Sequence, residues 1–375
     1  MRLISKAKDM NDTKEVYVNT ETFICQNCGG IMKFDIKKQK FECSSCKTEH
    51  DLKALSETVK ENDFSLYLER EKESIPFQGM AVVACQQCGM EISFSESQFS
   101  TTCPMCGSAQ IASVKQSAGI PPDGVIPFKI DKSEAEKRFK AWIKRQWFAP
   151  NDLKKRYGKG VIIGMFLPFW TYDACAVSHY SGRGGSCKTL SGSGGMQKTV
   201  TDWRPVSGFV GATFDDLQIC ASQKENNVED ILPYNTAANI KPFSAGYLSG
   251  FYAEVYKIKA DAGFENAKRV MEKALQRLAM KDIEKTYDTS EVSSLSTKYS
   301  NVTYKHVLLP LWSSVFNYKR KTYKYLINGE TGKVCGNRPY STTKITLAVV
   351  GVVTAVAALF WFLDVSLLDI LHMLL

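Results

Sequence analysis

Two sets of four cysteines in this chain share one spacing. Cys25, Cys28, Cys43 and Cys46 recur as Cys85, Cys88, Cys103 and Cys106, each position shifted by 60 residues (85 − 25). Each set reads C-x2-C-x14-C-x2-C. With that spacing, two knuckles can fold toward each other and hold four sulfurs around a tetrahedral ion at about 2.3 Å. Zinc is the metal this donor set favours, one Zn2+ per set and two per chain. The competing chemistry is a disulfide framework, which persists only in oxidising compartments. The opening "MRLISKAKDMNDTKEV" lacks an apolar stretch of the kind a secretory signal carries, so reduced thiols and a metal are expected. A unit this small has little core, and metal binding on the order of 10–16 kcal/mol would supply most of its folding energy.

The elements that must position the sulfurs are also legible. Between the first two knuckles, Met32, Phe34 and Ile36 alternate with Lys33, Asp35 and Lys37, the period of a strand with one buried face. Ile92 and Phe94 alternate with Glu91, Ser93 and Ser95 in the second set. Gly29, Gly89 and Gly107 follow knuckle cysteines, where a left-handed turn favours glycine, while Cys46 is followed by Lys47. Two small β zinc ribbons are expected, at 21–52 and 79–112, after an N-terminal tail over 1–20 and separated by a charged helical linker over 53–78.

Charge narrows the choice of partner. The net charge of the 375-residue chain is +9, yet residues 1–120 hold 14 Lys/Arg against 16 Asp/Glu. The ribbons are therefore not a basic surface, and nucleic acid is an unlikely partner, because phosphate binding draws its affinity from clustered cations. The excess lies in residues 129–160, with 11 Lys/Arg against 4 Asp/Glu. There Ala135, Phe139, Trp142 and Ile143 recur at helical spacing, and Ser133 with Glu136 reads as a capping box. Lys137, Lys140, Lys144, Arg145, Lys154, Lys155 and Arg156 are candidates for contact with anionic lipid. Ile345 to Leu363 gives 19 residues without a charge, about 28 Å of helix, enough to cross a bilayer. Lys333, Arg338 and Lys344 precede it and no Lys or Arg follows. The positive-inside rule then places the bulk of the chain in the cytoplasm of a cell with this span at 345–363 in its inner membrane, leaving a short far-side tail over 364–375.

After a linker over 113–126, residues 127–340 carry a weaker duplication. "FKI" at 128–130 and "YKI" at 256–258 each precede a helical pattern, and Pro168-Phe169-Trp170 aligns with Pro310-Leu311-Trp312. A strand, a helix and a small antiparallel meander, present twice, make an internally duplicated α+β domain. "SGRGGSCKTLSGSGGMQKT" at 181–199 reads as a glycine-serine loop. Cys175, Cys187, Cys220 and Cys335 have no ligand spacing, and apolar packing is their expected role.

The succession of "CQNCGGIMKFD", "CPMCGS", "IPPDGVIPFKIDKSEAEKRFKAWI", "FLPFWTYDA", "YLSGFYAEVY", "VLLPLWSSVF" and "YLINGETGKVCGNRP" resembles a bacterial family of TFIIB-type zinc-ribbon membrane proteins. Some of its members carry the inherited names primosomal replication protein or helicase. Others are similar to a membrane protein encoded beside phage-shock protein A. The resemblance implies an adaptor that recruits a cytoplasmic protein, such as one like phage-shock protein A, to the membrane during envelope stress. A helicase needs a phosphate loop, and the nearest approach, "GRGGSCKT", has Cys187 where the second glycine must stand. With four histidines and no paired nucleophile and base, no catalytic residues are assigned.

Overall fold

A computed structural model describes residues 25–30, 32–50, 59–72, 75–76, 80–85, 91–95, 111–115, 118–151, 162–191, 197–222, 228–248, 251–319 and 321–362. The segment carrying the first four cysteines contributes the hairpin β1 (Met32–Asp35) and β2 (Lys40–Cys43). The segment expected as a charged helical linker holds a short helix at Tyr67–Lys72 and packs on the sheet. Asn62 and Asp63 pair with Tyr304 and Thr303, and the rings of Phe64 and Tyr67 lie 5.9 and 6.0 Å from that of Tyr304. Two aromatic side chains give this otherwise charged segment an apolar face to bury, and Tyr67 is 3% exposed.

Strands β3 (Met80–Cys85), β4 (Glu91–Ser95) and β5 (Ile111–Lys115) follow, then β6 (Gly124–Val125) and helix α1 (Lys132–Arg145). The cap of α1 differs from the one expected. Asp131, not Ser133, is the N-cap, and its carboxylate accepts from the Glu134 backbone N–H at 2.7 Å. The buried stripe is Ala135, Phe139 and Ile143.

The bulk of the domain is one large sheet built on β7 (Ile162–Ser191), β8 (Gln197–Cys220) and β10 (Thr289–Tyr318), with β9 (Tyr252–Glu254), β11 (Lys321–Asn328) and β12 (Val334–Gly336) alongside. Helix α2 (Ala260–Ile283) packs on it, and α3 (Thr342–Phe362) leaves it. β7 and β10 are each 30 residues long, about 100 Å of strand at 3.3 Å per residue. They run antiparallel from Ile162↔Ser314 to Gly185↔Thr289, with irregularities next to Asp173 and Ser181. The expected small antiparallel meander, present twice, is here replaced by long strands joined in one large sheet.

The glycine-serine stretch shows why. Residues 181–191 continue β7 and 197–199 begin β8. Its glycines serve close approach: a Cβ on Gly182 would stand 2.1 Å from the Glu291 carbonyl oxygen, and one on Gly184 2.3 Å from the Tyr287 ring.

The register has a cross-over pattern. Leu167 pairs with Leu309 in the antiparallel ladder. β6 lies parallel to β10 through Gly124↔Val307 and Val125↔Leu308, while β9 lies parallel to β7 through Met165↔Tyr252 and Phe166↔Ala253. The indole of Trp312 donates to the Ile130 carbonyl at 2.8 Å, and that of Trp170 donates to the Ile258 carbonyl at 2.7 Å. Around this centre the core is aromatic. Phe128 stacks on Phe251 at 4.4 Å and meets Phe166 and Trp312 at 5.2 and 4.9 Å, with itself no exposed surface.

Candidate metal centre

Each knuckle of the first ribbon closes with the same two backbone bonds. Gly29 N–H donates to the Cys25 carbonyl and Cys25 N–H to the Gly30 carbonyl, both at 2.8 Å. Lys47 N–H donates to Cys43 at 3.1 Å and Cys43 N–H to Thr48 at 3.0 Å. Gly29 takes φ +70°, and Lys47 adopts φ +61° at the equivalent place, a conformation that costs a side chain about 1–2 kcal/mol. The expected glycine is absent, but the turn is the same.

The hairpin brings the two knuckles together. Cys25 Sγ lies 3.5 Å from Cys46 Sγ and Cys28 Sγ 3.4 Å from Cys43 Sγ, and all four sulfurs fall within 4.8 Å of one another. A disulfide needs about 2.05 Å, whereas the edge of a tetrahedron with 2.3 Å metal–sulfur bonds is about 3.8 Å. The group is therefore one that could hold a metal ion. Cys25 and Cys43 are 2% and 0% exposed, and Cys28 and Cys46 face solvent.

Four sulfurs this close cannot all carry charge without a cation. The Thr48 hydroxyl and backbone N–H draw the Cys46 thiol down to about 5, and its thiolate pushes Cys28 up to about 12. A bound dication would favour all four thiolates and release the remaining protons, so affinity falls with pH. Gly30 sits against this group: an added Cβ would be 2.7 Å from Ser45 Oγ and 3.0 Å from Cys43 Sγ. Gly30→Ala is expected to weaken metal affinity by about tenfold, a cost of about 1.4 kcal/mol for displacing one ligand. Competition with a chromophoric chelator reads this directly.

The ribbon is also welded to the sheet domain. Phe34 and Phe41 meet the ring of Tyr247 at 5.3 and 6.0 Å, Gln39 Nε2 donates to the Phe128 carbonyl at 2.8 Å, and Lys37 reaches Asp131 at 3.3 Å. Met32, Phe34, Phe41 and both buried cysteines belong to the same apolar cluster as Phe128, Phe139 and Trp312. Hydrophobic alternation made the hairpin legible, but Tyr247, in a loop two hundred residues away, carried no signal of this contact.

Of the second set, Cys85 ends β3 and its backbone pairs with Ile111, while Cys88, Cys103 and Cys106 lie outside the described residues. β4 pairs with β9 through Ser93↔Ala253 and Ile92↔Glu254, so these strands extend the large sheet. The cationic candidates divide likewise. Lys137, Lys140, Lys144 and Arg145 are exposed on α1, and Lys154, Lys155 and Arg156 lie outside the described residues. Lys144 and Arg145 fall in the last turn, where cations suit the helix dipole.

Helix α3 is long and apolar enough to cross a membrane over Thr342–Trp361, with mean hydropathy 2.0 and none of it buried. It starts three residues before the expected span, because Thr342 and Thr343 already form its first turn. Its base is clamped: Lys344 Nζ donates to the carbonyls of Trp147 and Ala149 at 3.2 and 2.8 Å and to Asn151 Oδ1 at 2.7 Å, and Ser341 N–H donates to the Phe148 carbonyl at 2.8 Å.

A second ligand-like cluster, Glu61, Asp173 and Asp216, is already filled. Lys305, with 8% of its side chain exposed, places Nζ 2.7 Å from Asp216 Oδ1 and against Glu61 Oε1. Its ammonium stands where a cation would. Among the other cysteines, Cys335 is buried as expected, Cys175 and Cys220 are half-buried, and Cys187 is exposed. Cys187 lies near the far end of β7, beyond the apolar core, with Sγ 3.7 Å from Thr201 Oγ1.

The chain is similar to the uncharacterized protein YdjG of Bacillus subtilis (strain 168), 28% identical over 328 residues that cover 86% of this chain and 92% of the relative. No family model matches it, and no solved structure does.

Proposed function

We propose that this chain is a single-pass membrane adaptor of the TFIIB-type zinc-ribbon kind, whose ribbons recruit a cytoplasmic protein to the inner face of the membrane. The observation that carries the reading is the continuous mechanical path from the cysteine cluster to the span. Phe34 and Phe41 rest on Tyr247, the sheet domain holds α1, and the loop after α1 clamps Lys344 at the foot of α3. A partner held by the ribbon would thus be held at a fixed height above the bilayer. Zinc is the ion assigned to Cys25, Cys28, Cys43 and Cys46, and a second zinc to Cys85, Cys88, Cys103 and Cys106. A protein like phage-shock protein A is the partner suggested by the family resemblance, in an envelope-stress response. The near-neutral ribbons weigh against nucleic acid, and the filling of the acidic cluster by Lys305 weighs against a second metal site serving catalysis.

The register supports an internal duplication in the sheet domain. Leu167 and Leu309, 142 residues apart (309 − 167), pair with each other. The same offset carries Met165 onto Val307, the two positions that receive β9 and β6. Each repeat then lends its short strand and its Ile carbonyl to the long strand and Trp of the other.

Purification of tagged protein from the membrane fraction tests the adaptor. Wild type should retain a protein partner and about two zinc ions per chain, while a Cys25→Ser/Cys85→Ser variant should remain membrane-bound and lose the partner. A partner retained by that variant, or co-purifying nucleic acid released by salt, would sink the adaptor reading. Truncation after Ser341 should move the chain wholly into the soluble fraction, and persistence in membranes would remove α3 as the anchor.

A further inference from the structure

The foot of α3 borders a cavity of about 930 Å³ that none of the readings above uses. Its walls come from the β10–β11 hairpin, which supplies Lys319 and Lys321, and from the segment entering α3, which supplies Arg338, Tyr340 and Lys344. Among the described residues four cations line it, and no Asp or Glu does. Arg338 is held with its guanidinium 5.4 Å from the Tyr340 ring centre, and its Nε is buried without a hydrogen-bond partner. A buried donor left unpaired is costly to folding, and Arg338 is itself part of the cavity lining. Concentrated positive charge with no carboxylate among the described lining residues selects an oxyanion, and a guanidinium beside lysines suits phosphate oxygens.

Position selects the kind of phosphate. Leu347, one turn into α3, closes one side of the cavity and is 67% exposed. From there the apolar face of α3 runs on with none of its span buried. Trp147 and Tyr340, 83% and 57% exposed, stand at the same level, where amphipathic rings mark the boundary between headgroups and hydrocarbon. We propose that this cavity binds the headgroup of one anionic phospholipid, the phosphate meeting Arg338, Lys319 and Lys321 and an acyl chain following α3 past Leu347. Basic pockets beside spans on the cytoplasmic side take such headgroups. The site rests on the reading of α3 as a membrane span, and it is distinct from the exposed lysines of α1, which offer only diffuse attraction.

The test uses the full-length chain in non-ionic detergent, titrated with phosphatidylglycerol, phosphatidylcholine or inorganic phosphate and read by native mass spectrometry. One phosphatidylglycerol should bind at least tenfold more tightly than phosphatidylcholine. Lys321→Gln with Arg338→Gln should remove that preference, and Arg338→Lys, which keeps the charge but loses the forked guanidinium donors, should weaken it. Lys137→Gln with Lys140→Gln should leave it intact. The inference is overturned by equal binding of the two lipids, by an unchanged preference in the cavity variants, or by equal loss in the α1 variant. Inorganic phosphate binding as tightly as the lipid would also overturn it, since the acyl chain would then contribute nothing. Unfolding midpoints equal to wild type show that the variants fold, and Arg338→Lys remains informative if Arg338→Gln does not. Because binding is read in detergent, its failure is separable from a failure of α3 to anchor the chain, which the truncation after Ser341 reports.

Discussion

Replacing Cys43 by serine is expected to lower bound zinc by one equivalent and to release the whole first ribbon from the sheet domain. Cys43 has no exposed surface and touches both functions of the ribbon, since its sulfur completes the cluster and its neighbours Phe34 and Phe41 form the docking face. Structural zinc contributes on the order of 10–16 kcal/mol in units of this size. The apolar contacts of a four-residue hairpin pair cannot replace that. Loss of the metal should expose Phe34, Phe41 and Tyr247, and tryptic cleavage at Lys37, Lys38 and Lys40 should become rapid while the sheet domain stays intact. Cys175→Ser, which changes a thiol on the open face of β7, should leave both zinc and cleavage unchanged. Full zinc content in the Cys43 variant would show that the four sulfurs do not bind as a unit.

Acid should destabilise the sheet domain through a single buried imidazole. His306 is 2% exposed, between Trp170 at 4.8 Å and Tyr256 at 5.3 Å. Its Nδ1 lies 2.9 Å from the Ile120 carbonyl, which can only accept, so Nδ1 carries the proton and Nε2 is bare and buried without a partner. Burial pulls its pKa from 6.5 down to about 4, more strongly than nearby Asp123 raises it. The folded state therefore binds fewer protons than the unfolded chain between these values. Stability from this group is complete above about pH 6.5 and is lost as pH falls toward 4. The loss amounts to about 3 kcal/mol at 1.36 kcal/mol per pH unit. His306→Phe should be less stable at neutral pH, because the Ile120 carbonyl loses its donor, yet the gap to wild type should close as pH falls. Denaturant midpoints between pH 4.5 and 7 check this. Release of any bound metal would be common to both proteins and cancel in the difference, and parallel curves would show that His306 titrates normally.

What the sequence made legible follows from how local each signal is. The cysteine spacing, the alternation of Met32, Phe34 and Ile36, the stripe of α1 and the apolar run of α3 are all periodic within one element, so they survive without knowledge of neighbours. The FKI and YKI phrases and the two Pro-aromatic strands were also visible, but not their crosswise pairing, which joins Ile130 to Trp312 and Ile258 to Trp170. Residues 181–191 misled because glycine and serine usually signal a loop. There they mark close backbone approach, at Gly182 against Glu291 and Gly184 against Tyr287. Phe64 and Tyr67 were hidden in a charged segment for the opposite reason, since two rings among many charges leave no period to detect. The cavity beside α3 joins a hairpin, an entry segment and a loop, and no single stretch of sequence carries it.

The exchange of short strands between the two halves of the sheet bears on how the chain is made. β6 passes the ribosome early, yet one of its edges waits for Val307 and Leu308. β10 then ends at Tyr318, and α3 begins at Thr342. During vectorial synthesis the domain thus cannot close until the apolar helix α3 is nearly ready to emerge. Completion of the fold and emergence of the apolar α3 become nearly simultaneous events, and the half-built sheet, with its long unpaired edges, is the species that chaperones would meet.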